Sequence, residues 1–140
     1  MSRYAEGTTV TVPSSRGEIT GILTKHGVET MGWASSPTGD ALHFELAGRS
    51  FRLDIAKPTV DDIFRLWPNH RDTDAKRDVE WRRRWRATVL LLKAKLEFAD
   101  GETSTIEREL MPYMLLRDGT TLGMAIEGGK VPLLEAGARA

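Results

Sequence analysis

The chain contains no cysteine. That excludes a disulfide framework, a zinc–thiolate site, an iron–sulfur cluster and a thiol nucleophile. Long hydrophobic runs are missing too. The longest runs from Val89 to Leu92, far short of the roughly 20 residues that cross a bilayer. The opening Met-Ser-Arg-Tyr-Ala-Glu-Gly lacks the apolar core of a signal peptide. Net charge is also absent, because 20 Lys and Arg balance 20 Asp and Glu. This weighs against a generally basic nucleic-acid binder and equally against an acidic DNA mimic.

What is present suits a packed core. Of 140 residues, 40% are hydrophobic, too many for a disordered chain and about right for one domain. The expectation is a single soluble, intracellular domain over residues 1–140, with 125–140 as a loosely packed tail. The charge balance is uneven along the chain. Residues 1–73 hold 8 basic and 9 acidic side chains, residues 74–98 hold 8 and 4, and residues 99–140 hold 4 and 7. A basic block between acidic flanks is the main feature to explain.

Thr8 to Val12 is a β-prone run ended by Pro13. Ser15-x-x-Glu18 reads as a capping box, followed by Ile19, Ile22 and Leu23 at helical spacing and a stop at Gly27, which predicts a helix over 15–26. Val28 to Ala34 is extended, and Ser35 to Asp40 is a turn. Leu42, Phe44 and Leu46, then Phe51, Leu53 and Ile55, alternate with polar residues as strands with one buried face do. Gly48-Arg49 as a two-residue loop predicts Leu46 opposite Phe51, Phe44 opposite Leu53 and Leu42 opposite Ile55. The other face then sets Glu45 against Arg52 and His43 against Asp54.

Thr59-x-x-Asp62 caps a short helix stopped by Pro68, and Thr73 caps a long one over 74–98. Trp81, Trp85, Val89, Leu92 and Leu96 form its apolar stripe, with Ala87, Leu91, Ala94 and Phe98 widening it. Ser104-x-x-Glu107 starts a further short helix interrupted near Pro112, Asp118-Gly119 is a turn, and a glycine-rich tail follows Gly123. The expected fold is α+β: a small antiparallel meander of about three strands under a long amphipathic helix, with short flanking helices.

Trp81-Arg-Arg-Arg-Trp85-Arg86 is the strongest local signal. At 100° per residue the tryptophans share one face and Arg82 and Arg86 the next; Lys93 continues that row and Arg83 points furthest away. Guanidinium forks fit phosphates, and a neighbouring aromatic can stack a base. Arg82, Arg83, Arg84, Arg86 and Lys93 are therefore the candidate binding residues. The competing account is a solvated helix face whose cations pair with the chain's own acids. Asp78 precedes Arg82, Glu80 precedes Arg84 and Lys93 precedes Glu97, each by four residues. The two accounts differ in whether the arginines project into solvent or end on Asp and Glu of the same chain.

Other motifs fail on spacing. His70-Arg71-Asp72 lacks the downstream asparagine and glycine-rich loop of a kinase. Gly123 to Lys130 is one residue too long for a phosphate loop, with Val131 where Ser or Thr is required. His26, His43 and His70 are scattered without metal-ligand spacing, and cross-strand charge pairing accounts for His43 and Asp54. No catalytic residue, metal site or cofactor is predicted.

The stretches Glu6-Gly-Thr-Thr-Val10, Ser15-Arg-Gly-Glu-Ile19, Trp85-Arg-Ala, Lys93-Ala-Lys-Leu-Glu97 and Leu116-Arg-Asp-Gly119 together resemble a family of small uncharacterised proteins of phages, prophages and high-GC bacteria. The resemblance implies mobile-element biology in the cytoplasm of a bacterial host cell and transfers no activity. The expected element order also resembles the core of single-strand annealing proteins, an analogy of fold alone. Two functions follow as expectations. One is a non-enzymatic phage-type accessory protein that binds single- or double-stranded nucleic acid through the basic helix face. The other is a protein-interaction module, either an inhibitor of a host factor or a self-associating subunit, with no nucleic-acid role.

Overall fold

A computed structural model describes residues 3–5 and 7–137. Glu6, part of the family resemblance, and the last three residues of the expected tail lie outside the described residues.

Helix α1, Val12–Lys25, starts three residues before the expected start. The Thr11 hydroxyl accepts from the Ser14 amide at 3.3 Å, and Pro13 sits in the first turn. There its missing N–H removes no helical bond, so it initiates a helix rather than ending a strand. The Thr8–Val12 run accordingly forms no strand, and Ser15 is buried inside α1 instead of capping it. The chain leaves α1 through Gly27, whose φ of +93° suits glycine.

Three strands follow as an antiparallel meander: β1, Thr30–Ser36; β2, Gly39–Leu46; and β3, Arg49–Ala56. The β2–β3 loop is Ala47-Gly48, one residue earlier than expected. Both residues have positive φ, +53° and +75°, as a type I′ turn requires. Leu46 therefore faces Arg49, Phe44 faces Phe51 and Leu42 faces Leu53, while His43 meets Arg52 and Glu45 meets Ser50. The shift is two residues, so every side chain keeps its expected face and only the partners change. Phe44 and Phe51 stack at 5.1 Å.

Helix α2, Val60–Leu66, carries the expected capping box: Thr59 accepts from the Asp62 amide, and the Asp62 carboxylate accepts from the Thr59 amide. Helix α3, Thr73–Asp100, has 28 residues, about 42 Å of helix. Asp72 caps it, rather than Thr73, by accepting from the Ala75 amide. Helix α4, Ile106–Leu110, is capped by Thr105 instead of Ser104, whose hydroxyl donates to Glu109. A 3₁₀ turn, Met111–Tyr113, contains Pro112. The glycine-rich segment holds a helix unforeseen in the sequence, α5, Leu122–Glu127, capped by Thr121.

The core lies between one sheet face and the pair α1 and α3. Ile19 and Leu23 of α1, Leu42, Phe44, Phe51, Leu53 and Ile55 of the sheet, and Trp85, Val89, Leu92 and Leu96 of α3 are buried together. Each contributes about 1.5–3 kcal/mol by leaving water. The apolar stripe of α3 is narrower than expected: Trp81 is half-buried, and Ala94 and Phe98 are exposed. The outer edge of β3 is covered at its start, where the Leu115 amide donates to the Ser50 carbonyl at 2.9 Å and Met114 bridges Phe51. β1 has no second neighbour among the described residues.

Candidate functional site

The arginine run begins in the third turn of α3 and is organised by one buried carboxylate. Glu80 is 1% exposed. Its oxygens accept from Arg83 Nε at 2.7 Å, Arg84 Nε at 3.1 Å and Arg3 Nη1 at 3.0 Å. Burial pushes the Glu80 carboxyl up, but hydrogen bonds from Arg83, Arg3 and Arg84 outweigh it and hold the group below its ordinary range. Arg84 reaches further, donating to the Ala56 carbonyl at 2.9 Å and the Asp62 carboxylate at 3.2 Å. The Thr59 amide does most to lower Asp62 to about 2; burial opposes it, and Arg84 adds to the lowering.

The other two arginines pair outward along α3. Arg82 ends on Asp78, one turn back, and its Nε approaches the Thr8 carbonyl. Arg86 forms a fork with Glu18 of α1, at 2.9 and 3.2 Å, and also donates to Ser15. The Glu18 carboxylate raises the Arg86 pKa. Arg82, Arg83, Arg84 and Arg86 therefore all end on the chain's own carboxylates, and their side chains are 16–23% exposed. Lys93 stands apart. It is exposed, and the expected pair with Glu97 does not form.

The tryptophans divide between core and surface. Trp85 is buried, with Trp33 of β1 at 5.2 Å and Trp81 edge-on at 5.9 Å. Arg16 of α1 lies 4.9 Å above Trp33 and donates to Asp40 at 3.3 Å. Trp67, which stands outside every sequence motif, has Arg3 and Lys76 at 5.4 and 5.1 Å from its ring. It lines a cleft of about 840 Å³ with Arg3, Thr8, Lys76 and Arg82. Among the described residues no group of His, Asp and Glu side chains is placed to hold a metal ion. His26 pairs with Asp100, His70 bonds Trp67 and Thr73, and His43 faces Arg52.

What stays open is main chain. In antiparallel pairs, bonded and non-bonded positions alternate along each strand. Ser50 bonds away from β2, so the even-numbered residues of β3 face outward. Carried through the register, the same parity bonds Thr30, Gly32, Ala34 and Ser36 to β2. The N–H and C=O groups of Met31, Trp33 and Ser35 then point into solvent, and no described hydrogen bond reaches them. Thr30 to Gly39 is a ten-residue stretch without a charge in a chain that is 29% charged. That interval was the available signal. It went unused because one sequence does not say which strand lies at the edge.

No family model, curated protein or solved structure matches this chain. Among the described residues no helix is long and apolar enough to cross a membrane.

Proposed function

We propose that this is a non-enzymatic protein-interaction module, of the phage-type accessory kind its sequence resembles, that docks an extended strand on the open edge of β1 in the bacterial cytoplasm. The observation that carries this reading is the unsatisfied row of main-chain donors and acceptors at Met31, Trp33 and Ser35. Natural sheets protect such edges with lysine, proline, bulges or covering loops. β1, Thr-Met-Gly-Trp-Ala-Ser-Ser, carries none of these within the strand. Recognition of this kind takes affinity from main-chain bonds and specificity from alternate side chains. The internal pairing of the arginine run supports the reading from the other side, since those cations have little charge left for phosphate.

The nucleic-acid reading keeps one observation, the cleft where Trp67 lies beside Lys76 and Arg82. Two titrations separate the readings. A Thr-Val repeat peptide, added as a strand-forming probe in large excess over protein dilute enough to be monomeric, is expected to slow amide hydrogen exchange at Met31, Trp33 and Ser35 and nowhere else on the sheet. Fluorescence anisotropy with single- and double-stranded oligonucleotides at about 50 mM salt is expected to stay flat. Oligonucleotide binding that weakens steeply with salt, together with β1 amides indifferent to the peptide, would sink the proposal.

A further inference from the structure

We infer that the partner strand is β1 of a second copy of this chain, paired antiparallel about a two-fold axis at Trp33. This rests on the interaction-module reading and names its partner. The outward positions form a palindrome of permitted pairs. With the axis at Trp33, each Trp33 faces its twin, and Met31 faces Ser35 in both directions. Three such bonded pairs exchange roughly six main-chain hydrogen bonds. On the solvent face of the sheet, Gly32 meets Ala34 and Thr30 meets Ser36, all small and uncharged. Glu29, the nearest acid, falls opposite Pro37, so like charges never face each other across the pair.

The layer above the sheet permits the same approach. Arg16 holds α1 over the β1 side of the sheet through Trp33 and Asp40. The exposed residues of α1 include Gly17, Thr20, Gly21 and Thr24. The two threonine hydroxyls already donate to Arg16 and Thr20 carbonyls at 3.1 and 2.8 Å, so they lose no water-bonded donor on contact. A Cβ built on Gly17 or Gly21 meets nothing within 4 Å, which leaves room for the twin helix.

Closure favours two copies over a fibre. A pair joined at β1 is a six-stranded sheet that ends at β3 on both sides. Those ends are capped at their start by Leu115 on Ser50, tied at their finish by Arg84 on the Ala56 carbonyl, and guarded between by the charges of Arg52 and Asp54. A self-complementary patch whose far edge is covered or charged gives a closed two-fold assembly.

Sedimentation equilibrium of the full chain over a range of concentrations tests this. The expected mass rises to twice that of one chain, with exchange at the Met31, Trp33 and Ser35 amides slowing in step. Ala34→Lys places a lysine on the exposed side of the edge, and Ser35→Pro removes an outward N–H that β2 does not use. Both are expected to return the mass to one chain with the circular dichroism of the parent. If Ser35→Pro does not fold, Ala34→Lys alone decides. A dimer that survives the folded edge variants overturns the inference. A monomer at every concentration also overturns it, and the probe peptide then separates the two proposals. Protection of the β1 amides by the peptide leaves the interaction module standing, whereas indifference removes both.

Discussion

Glu80 is where single-residue chemistry weighs most. One carboxylate, buried at the second turn of α3, answers guanidiniums from Arg3, Arg83 and Arg84. Removing the acid from a buried ion pair strands the cations, at about 3 kcal/mol or more. Glu80→Gln is expected to lower the unfolding free energy by that order in urea titration, whereas Glu18→Gln, at the half-exposed end of the Arg86 fork, should change it by less than about 1 kcal/mol. Asp62 and Glu80 both ionise below their ordinary range. A depressed carboxylate contributes stability above its unfolded pKa and loses it as pH falls through the folded one. The urea midpoint should therefore fall between pH 3.8 and about 2, and Asp62→Asn should flatten that slope. At Ala47, φ is +53° without glycine's freedom. Ala47→Asn is expected to stabilise the protein by about 1 kcal/mol, since Asn tolerates the left-handed region; thermal unfolding measures it.

At the scale of elements, capping chemistry explains most departures from the sequence reading. Thr11, Asp72 and Thr105 each win a helix start from the neighbouring candidates Ser15, Thr73 and Ser104. All six have capping side chains, and in each pair only one accepts a first-turn amide: Thr11 from Ser14, Asp72 from Ala75 and Thr105 from Arg108. The β2–β3 hairpin behaves similarly. Alternation placed Leu42, Phe44, Phe51, Leu53 and Ile55 on one face, and all five are buried. Pairing depended on the loop, which closes at Ala47-Gly48 because two positive φ values match the strand twist. α5 was illegible because six residues with Gly123 among them carry too short a pattern to read. Thr121→Ala should cost about 1 kcal/mol through its lost cap. It should also speed amide exchange in α5 and in the Leu115 bond to β3.

For the whole molecule, the arginine run works as a set of ties. Arg86 joins α3 to α1, Arg84 joins it to α2 and the end of β3, and Arg3 brings in the N-terminal segment. The basic block of residues 74–98 is thus offset in space by acids from other segments, Glu18 and Asp62 among them, as well as its own. Surface potential along α3 should be weaker than the local count implies, and protein retention on heparin should be lost at modest salt.

The sequence alone determined the α+β class, the polarity of the β2 and β3 faces, the long helix and the candidate cations, because these follow from local periodicity and side-chain chemistry. Only the tertiary structure decided where those cations end and which strand has an open edge. Both depend on groups far apart in the chain: Glu18 lies 68 residues from Arg86. Whether a main-chain donor is satisfied depends on what lies beside it in space, and nothing in its own residue records that.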